Sequence, residues 1–375
     1  MKNSIRLLIL SFLALGYSCA EKTDNEINTP ANITVIPELI IDELPIPWGM
    51  AFLPDGSMLI TEKAGRLIHF KEGTRTVINN SPTVYNMGQG GLLDIVLHPD
   101  YNNNGWIYMS YASPEGNQKG GHTAIMRAKL QGNSLTDNEV LYKATPNTTG
   151  GNHFGSRIAF DNDGYLYFSI GERGEQDVNP QDLTRDGGKV YRLNADGSVP
   201  SDNPFVNTPG AKTAIYSYGH RNPQGMVKNP VTGAIWSNEH GPQGGDEINI
   251  VQKGKNYGWP LVTYGVNYSG TPISDKTEME GVENPIHYWV PSIAPSGMTF
   301  VTSDKYPGWK GNLLIGSLKF QYLERLELKG EEVVYREKLM ADIGRVRDVR
   351  QAPDGFIYVA VEGKGIYKLV PKEVE

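Results

Sequence analysis

From about residue 40 onward, short apolar runs alternate with turn-rich polar stretches, and one unit of this alternation recurs six times. In each copy an apolar strand leads to a turn, usually with Asp or Asn beside Gly, and a second strand rich in β-branched and aromatic residues follows. The copies are WGMAFLPDGSMLITEK, GLLDIVLHPDYNNNGWIYMSYA, SRIAFDNDGYLYFSIGE, GMVKNPVTGAIWSNE, GMTFVTSDKYPGWKGNLLIGS and VRDVRQAPDGFIYVAVEG. Their turns centre near residues 55, 102, 163, 231, 307 and 354, a spacing of one propeller blade plus insertions.

Each copy predicts a β-hairpin. No segment keeps helical periodicity over three turns. Six hairpins alone leave faces uncovered, whereas four-stranded blades stacked radially cover both faces and leave few edges. A sandwich or a barrel does not require six copies of one hairpin. The expected fold is therefore all-β, a six-bladed β-propeller over residues 37–375.

In a propeller the loops entering the innermost strands gather at one mouth of the channel. Here those positions carry Trp48, Gln89, His153, Arg221 with Asn222, Ser296, and Arg345 with Arg347. Register alone thus predicts a funnel of polar, charged and aromatic groups drawn from all six blades.

Composition adds less. The net charge of −7 argues against a partner held by phosphate neutralisation, so no nucleic acid is expected. The N-terminus says more: Lys2 and Arg6 precede the apolar run LLILSFLALG and the small-residue site YSCA. This is an export leader over residues 1–19, too short to span a bilayer. Cys19, the single cysteine, sits at the cleavage site and suggests a lipid anchor, although an ordinary signal peptide with an incidental cysteine is the alternative. Residues 20–36 are polar and Pro/Asn/Thr-rich and read as a flexible tether. The expected location is periplasmic or on the cell envelope.

Arg221, Arg345 and Arg347 occupy equivalent loops, and Lys319 ends the strand GNLLIGSLK. Cations crowded around one pore repel unless a polyanion sits among them; separate surface salt bridges are the plainer reading. The stretch SNEHGPQGGDEINIVQKGKNYGWP is rich in Gly, carbonyls and carboxylates, which suits calcium more than zinc, although such loops are common in β-proteins. His153, in GGNHFGSRIAF, has the side chain of a general base; a lone loop histidine is more often only a surface residue. His220 and His240 flank the Arg221 and Gly-Pro loops. No Gly-rich βα turn for a nucleotide cofactor, no haem-attachment cysteine pair and no GxSxG nucleophile elbow is present.

Taken together, the blocks GQGGLLDIVLHPDY, NHFGSRIAF, YSYGHRNPQGM, EHGPQGGDEINI, NYGWP, GVNYSG, IAPSGMTF, IGSLK and GRVRDV resemble the soluble aldose and glucose dehydrogenases that depend on pyrroloquinoline quinone (PQQ). The resemblance runs from about residue 40 to 370. It implies that His153 is the general base at the anomeric carbon of an aldose. It also implies that Arg221 and Asn222 polarise the quinone oxygens, and that Lys319, Arg345 and Arg347 clamp the cofactor carboxylates. Gln89 would contact cofactor or sugar, and Tyr268 would line the cofactor site. Carbonyls of Gly241 and Pro242 would hold a Ca2+ on the quinone, and Glu247 and Tyr257 a second, structural Ca2+. An external electron acceptor is implied as well. Asn152 and Glu172 stand where the glucose-specific branch carries Asp, which resembles the broader aldose-oxidising branch.

Two other functions fit the same architecture. A non-catalytic exported propeller that binds glycan or protein needs no ring of cations. A calcium-dependent propeller hydrolase acting on lactones shares the fold and the metal, and likewise needs none.

Overall fold

The computed structural model describes residues 33–373. The leader and Cys19 lie outside the described residues. Twenty-four strands form six antiparallel sheets of four. Blades 1 to 5 are continuous in sequence, over residues 47–78, 92–143, 158–218, 223–289 and 295–339. Blade 6 takes three strands from the C-terminal end and its outermost strand, Ile33–Asp42, from the N-terminal end. The expected six-bladed propeller is what the chain adopts.

That closing strand starts earlier than composition suggested. Ile33–Ile36 fall within the stretch read as tether, yet they pair with Glu373–Val370. Val35 is buried in the layer between blades 5 and 6, with Ile33 packed against it. Backbone pairing and two apolar side chains outweigh the polar character of the preceding residues. The only helix among the described residues is one turn, Tyr101–Asn104, closed by Gly105 in the left-handed region at φ 68°.

Burial falls from the axis outward. The innermost strands are largely buried, Pro295–Phe300 throughout, while the outermost strand of blade 5, Glu332–Leu339, is mostly exposed. Between neighbouring blades lie separate apolar layers. Leu59 and Leu67 of blade 1 meet Ile107 and Met109 of blade 2, and Trp236 of blade 4 meets Phe300 and Leu313 of blade 5. Each fully buried large side chain contributes about 1.5–3 kcal/mol, so the ring is held by interblade contacts, with no disulfide possible from one cysteine.

The axis itself is closed by charge. Arg157 of blade 3 reaches Asp94 of blade 2 at 3.1 Å and Asp348 of blade 6 at 2.9 Å. Arg350 completes the square, 2.6 Å from Asp94 and 3.0 Å from Asp348. Backbone groups satisfy more of this polar plug: Ile158 N–H donates to Asp94 and Met50 N–H to Asp348. The Gly-Met steps of the repeat find their reason here. A Cβ on Gly49 would lie 2.9 Å from an Asp94 carboxylate oxygen, and one on Gly297 would collide with Asp348.

Candidate functional site

The loops entering the innermost strands of blades 2, 3 and 4 meet through Gln89, His153 and Asn222. His153 sits in the left-handed region at φ 51°, a strained conformation for a residue with a side chain. It is held there from two sides. Its backbone N–H donates to Gln89 Oε1 at 3.1 Å, and its Nδ1 bonds a carboxylate oxygen of Glu172. Asn222 locks the same corner, accepting from Gly155 N–H at 3.1 Å and reaching Gln89 Oε1 at 3.4 Å. Gln89, His153 and Asn222, on three different blades, are thus one hydrogen-bonded unit.

Burial pulls the His153 imidazole below its ordinary pKa; Glu172 pushes the other way, and Arg221 adds to the lowering. The ring is therefore neutral at pH 7. With Nδ1 turned to the carboxylate, Nε2 is the nitrogen whose lone pair remains available. Glu172 is itself almost fully buried, with one oxygen left without a hydrogen-bond partner. The sequence marked Glu172 only as a departure from a pattern; its place beside His153 comes from folding.

Arg221 is buried, yet no carboxylate pairs with its guanidinium among the described residues. Its Nη1 donates to the carbonyls of His240 and Gly241, at 3.1 and 3.0 Å, and its Nε is buried without a partner. His240 binds across to blade 5 through the Pro295 carbonyl at 2.6 Å. Burial, then Arg221 and Arg347, hold the His240 imidazole down to about 3.

On the far side Arg347 donates to Gln224 at 2.8 Å and to Glu362, which Arg345 also contacts at 2.6 Å. Burial works to raise the Glu362 carboxyl, but the two guanidiniums outweigh it and hold it below the ordinary value. Arg345 also donates to the carbonyl of Leu318, the residue before Lys319, at 3.1 Å. Lys319 is exposed and has no acidic partner among the described residues. Lys63, which the sequence analysis passed over, joins the same wall. Burial and Arg347 lower its pKa, and it bonds Asn86 at 2.7 Å and Gly90 at 3.1 Å. Arg345 and Arg347 lie together on Glu362, which removes part of their repulsion.

Beside Arg221 lies a small cavity lined by Gly241, Gly245, Glu247, Tyr257, Glu239 and Thr263, among others. Glu247 is pushed up to about 8 by burial and by the neighbouring Glu239 charge. At pH 7 Glu247 is then mostly protonated, and a divalent cation with oxygen ligands would take that proton's place, while Glu239 is already bonded to His220, Asn249 and the Arg221 N–H. The Tyr257 hydroxyl is already committed, donating to the Ile250 carbonyl and accepting from Gln252 N–H. A metal bond from Tyr257 would therefore come from its main-chain oxygen. Asp246, by contrast, turns inward to the N–H groups of Gly241, Ile293 and Ala294 and shapes the loop. Pro242, next to Gly241 in the chain, is buried. Tyr268 stands apart, 72% exposed, tied to the loop only through its carbonyl, which accepts from Gln243 at 2.6 Å.

Residues 44–368 match the sequence model of the Glucose / Sorbosone dehydrogenase family. The chain is 45% identical over 341 residues to the aldose sugar dehydrogenase YliI of Escherichia coli (strain K12), covering 89% of this chain and 91% of that one. It superposes on the crystal structure of the soluble aldose sugar dehydrogenase from Escherichia coli in the apo-form with a TM-score of 0.86, at 42% identity, covering 90% of this chain and 100% of that one. The PQQ-bound form of aldose sugar dehydrogenase from Streptomyces coelicolor gives a TM-score of 0.74 at 29% identity, covering 92% of this chain and 99% of that one. The propeller and these similarities agree: the chain belongs to the Glucose / Sorbosone dehydrogenase family.

Proposed function

We propose that this chain oxidises aldose sugars at the anomeric carbon to lactones, with PQQ and Ca2+ as its cofactors. The observation that carries this reading is the pairing of the buried His153 with Glu172, in a corner that Gln89 and Asn222 fix by hydrogen bonds. The cofactor's fit rests on charge. A small planar guest with several carboxylates would take up cations that Glu362 only partly neutralises, and Lys319 has no competing acid.

When bound, PQQ supplies a quinone carbonyl that accepts the hydride, and Ca2+ acts on it as a Lewis acid. The chain's own residues do the remaining work. Nε2 of His153 takes the proton of the anomeric hydroxyl as the hydride leaves that carbon, contributing about a hundred- to ten-thousandfold. Glu172 fixes the tautomer and stabilises the imidazolium that results. Arg221 and Asn222 hold the negative charge that develops on the cofactor side, and Arg345, Arg347 and Lys319 keep the guest in register. Gln89 orients His153 through its carbonyl and offers its amide NH2 to ligand. Gly241 and Pro242 would hold the cofactor's calcium, with Glu247 and the main chain of Tyr257 for a structural one. Tyr268, exposed above the loop, would close over a bound ligand. An external electron acceptor must then remove the two electrons, and a lipid on Cys19 would hold the enzyme at the cell envelope.

The test is reconstitution: add PQQ and Ca2+ to the purified chain and follow bleaching of an artificial dye with an aldose present. Sugar-dependent bleaching is expected. Cofactor uptake without bleaching by any aldose would sink the reading and favour a binding propeller.

A further inference from the structure

Next to Glu172 in the chain stands Arg173, which is 3% exposed and bonds no carboxylate among the described residues. Its backbone lies in the left-handed region at φ 64°, a strained conformation for a residue with a side chain. Its Nη2 donates to the Gly150 carbonyl at 2.7 Å and to Thr148 Oγ1 at 2.8 Å, and reaches the Gly121 carbonyl at 3.4 Å. The guanidinium carbon lies 3.5 Å from the centre of the buried Phe154 ring, whose face attracts a cation. Nε and Nη1 are buried without partners. A buried charge with so few partners destabilises the fold relative to an apolar side chain of similar length. Such a group points to a site that uses the charge.

That site is the loop carrying His153. Arg173 grips residues 148 and 150 ahead of the histidine and Phe154 directly after it. The same loop is tied elsewhere by neutral groups. The Gly151 carbonyl accepts from Gln89 N–H at 2.7 Å, the Thr149 carbonyl from the Tyr85 hydroxyl at 2.9 Å, and the Phe154 carbonyl from the Thr123 hydroxyl at 2.7 Å. Arg173 alone among these clamps brings a charge. We propose that Arg173 is a positioning residue for the oxidation proposed above, on which this inference rests: it holds the loop that keeps His153 in its left-handed turn and sets a fixed positive charge near the base.

The charge favours the neutral imidazole. Glu172, Arg221, Arg173 and His240 are the groups that act on the His153 ring, and of these Glu172 alone favours its protonated form. Around Arg173 itself the other titratable groups are Glu172, Tyr85 and His122. Burial lowers the Arg173 pKa to about 10, so the guanidinium stays charged at neutral pH.

Two readouts test this: dye-linked kinetics of the chain with PQQ and Ca2+, and the titration of the His153 ring by NMR of isotope-labelled histidine in the chain without cofactor. In Arg173→Met turnover should fall by about ten- to a hundredfold as the loop loosens. The His153 titration should rise by roughly one pH unit, opposite in sign to the loss of Glu172. Arg173→Lys keeps the charge but not the fork, so the titration should stay in place while turnover still falls. Thr148→Val removes one acceptor without touching Arg173 and should lower kcat with KM and titration unmoved. An unmoved titration in Arg173→Met overturns the proposal even if the melting temperature drops, because lost packing alone would do that. Should neither arginine variant fold, native kcat in Thr148→Val overturns it and a lowered kcat supports it. A shifted titration with no aldose oxidised by the native chain sinks the oxidation reading and leaves Arg173 as the partner of His153.

Discussion

Glu172 of blade 3 holds the Nδ1 edge of His153, so the imidazole presents Nε2 as its free lone pair. Glu172→Gln keeps the shape and removes the charge. Turnover should fall by roughly ten- to a hundredfold. The pH dependence gives the sign. Burial lowers the His153 pKa and Glu172 partly restores it, so the variant's imidazole protonates at a lower pH. The acid limb of kcat/KM against pH should move down, with a lower plateau. An unmoved limb at full activity would show that the carboxylate does not act on the base.

His153→Ala removes the base itself. A loss of about a hundred- to ten-thousandfold in turnover is expected, with PQQ affinity little changed, because in the proposed site the cofactor's charge is met by Arg221, Lys319, Arg345 and Arg347. Equilibrium titration with PQQ beside steady-state kinetics separates the two quantities.

Arg345 and Arg347 share Glu362 but differ in exposure, with side chains 48% and 11% exposed. Arg347→Ala leaves Gln224 and a half-buried Glu362 oxygen short of a donor and should cost about 1–3 kcal/mol of stability. Arg345→Ala should cost less than ~1 kcal/mol. Both should weaken PQQ retention. Urea denaturation of the two variants would refute this if their midpoints moved together.

Calcium should matter to the apoprotein as well as to catalysis. A cation bound at Glu247 would displace the proton that burial and Glu239 hold there, and at a hundredfold excess over Kd it adds about 2.7 kcal/mol. Chelation should therefore lower the melting temperature. Glu247→Gln should blunt the response to added Ca2+ while leaving the chelated protein no less stable. A melting temperature indifferent to calcium in the native chain would rule out a site there.

Arg157 carries the axis. Arg157→Met would leave Asp94 and Asp348 facing each other with Arg350 alone between them, at a cost of about 3–5 kcal/mol. Folded yield and denaturation midpoint report it; a neutral effect would mean that water replaces the guanidinium.

Much of this was legible before folding because hairpins are local. The Asp-Gly turn near residue 55 and the aromatic strand after residue 164 announce themselves in a few residues. The loop register placed Gln89, His153, Arg221 and Arg347 at one mouth. What stayed hidden depends on residues far apart in the chain. Glu362 lies in the last blade's return strand region and Lys63 in the first blade; neither has a neighbour in sequence that marks it as part of the funnel. Asp94, Arg157, Asp348 and Arg350 each look like ordinary strand residues until three blades meet. Ile33 and Val35 were masked by polar neighbours, since only the partner strand, more than three hundred residues later, gives them something to cover.

That same pairing of the first described strand with the last governs when the molecule can become whole. During synthesis five blades can assemble while the sixth waits, its outer edge displayed and its inner strands not yet made. Such long-range closure is slow and leaves a sticky intermediate. Removing the final strand, Gly365–Glu373, would therefore not shorten the ring but leave it unlatched, with the leading strand free to pair with a neighbouring molecule.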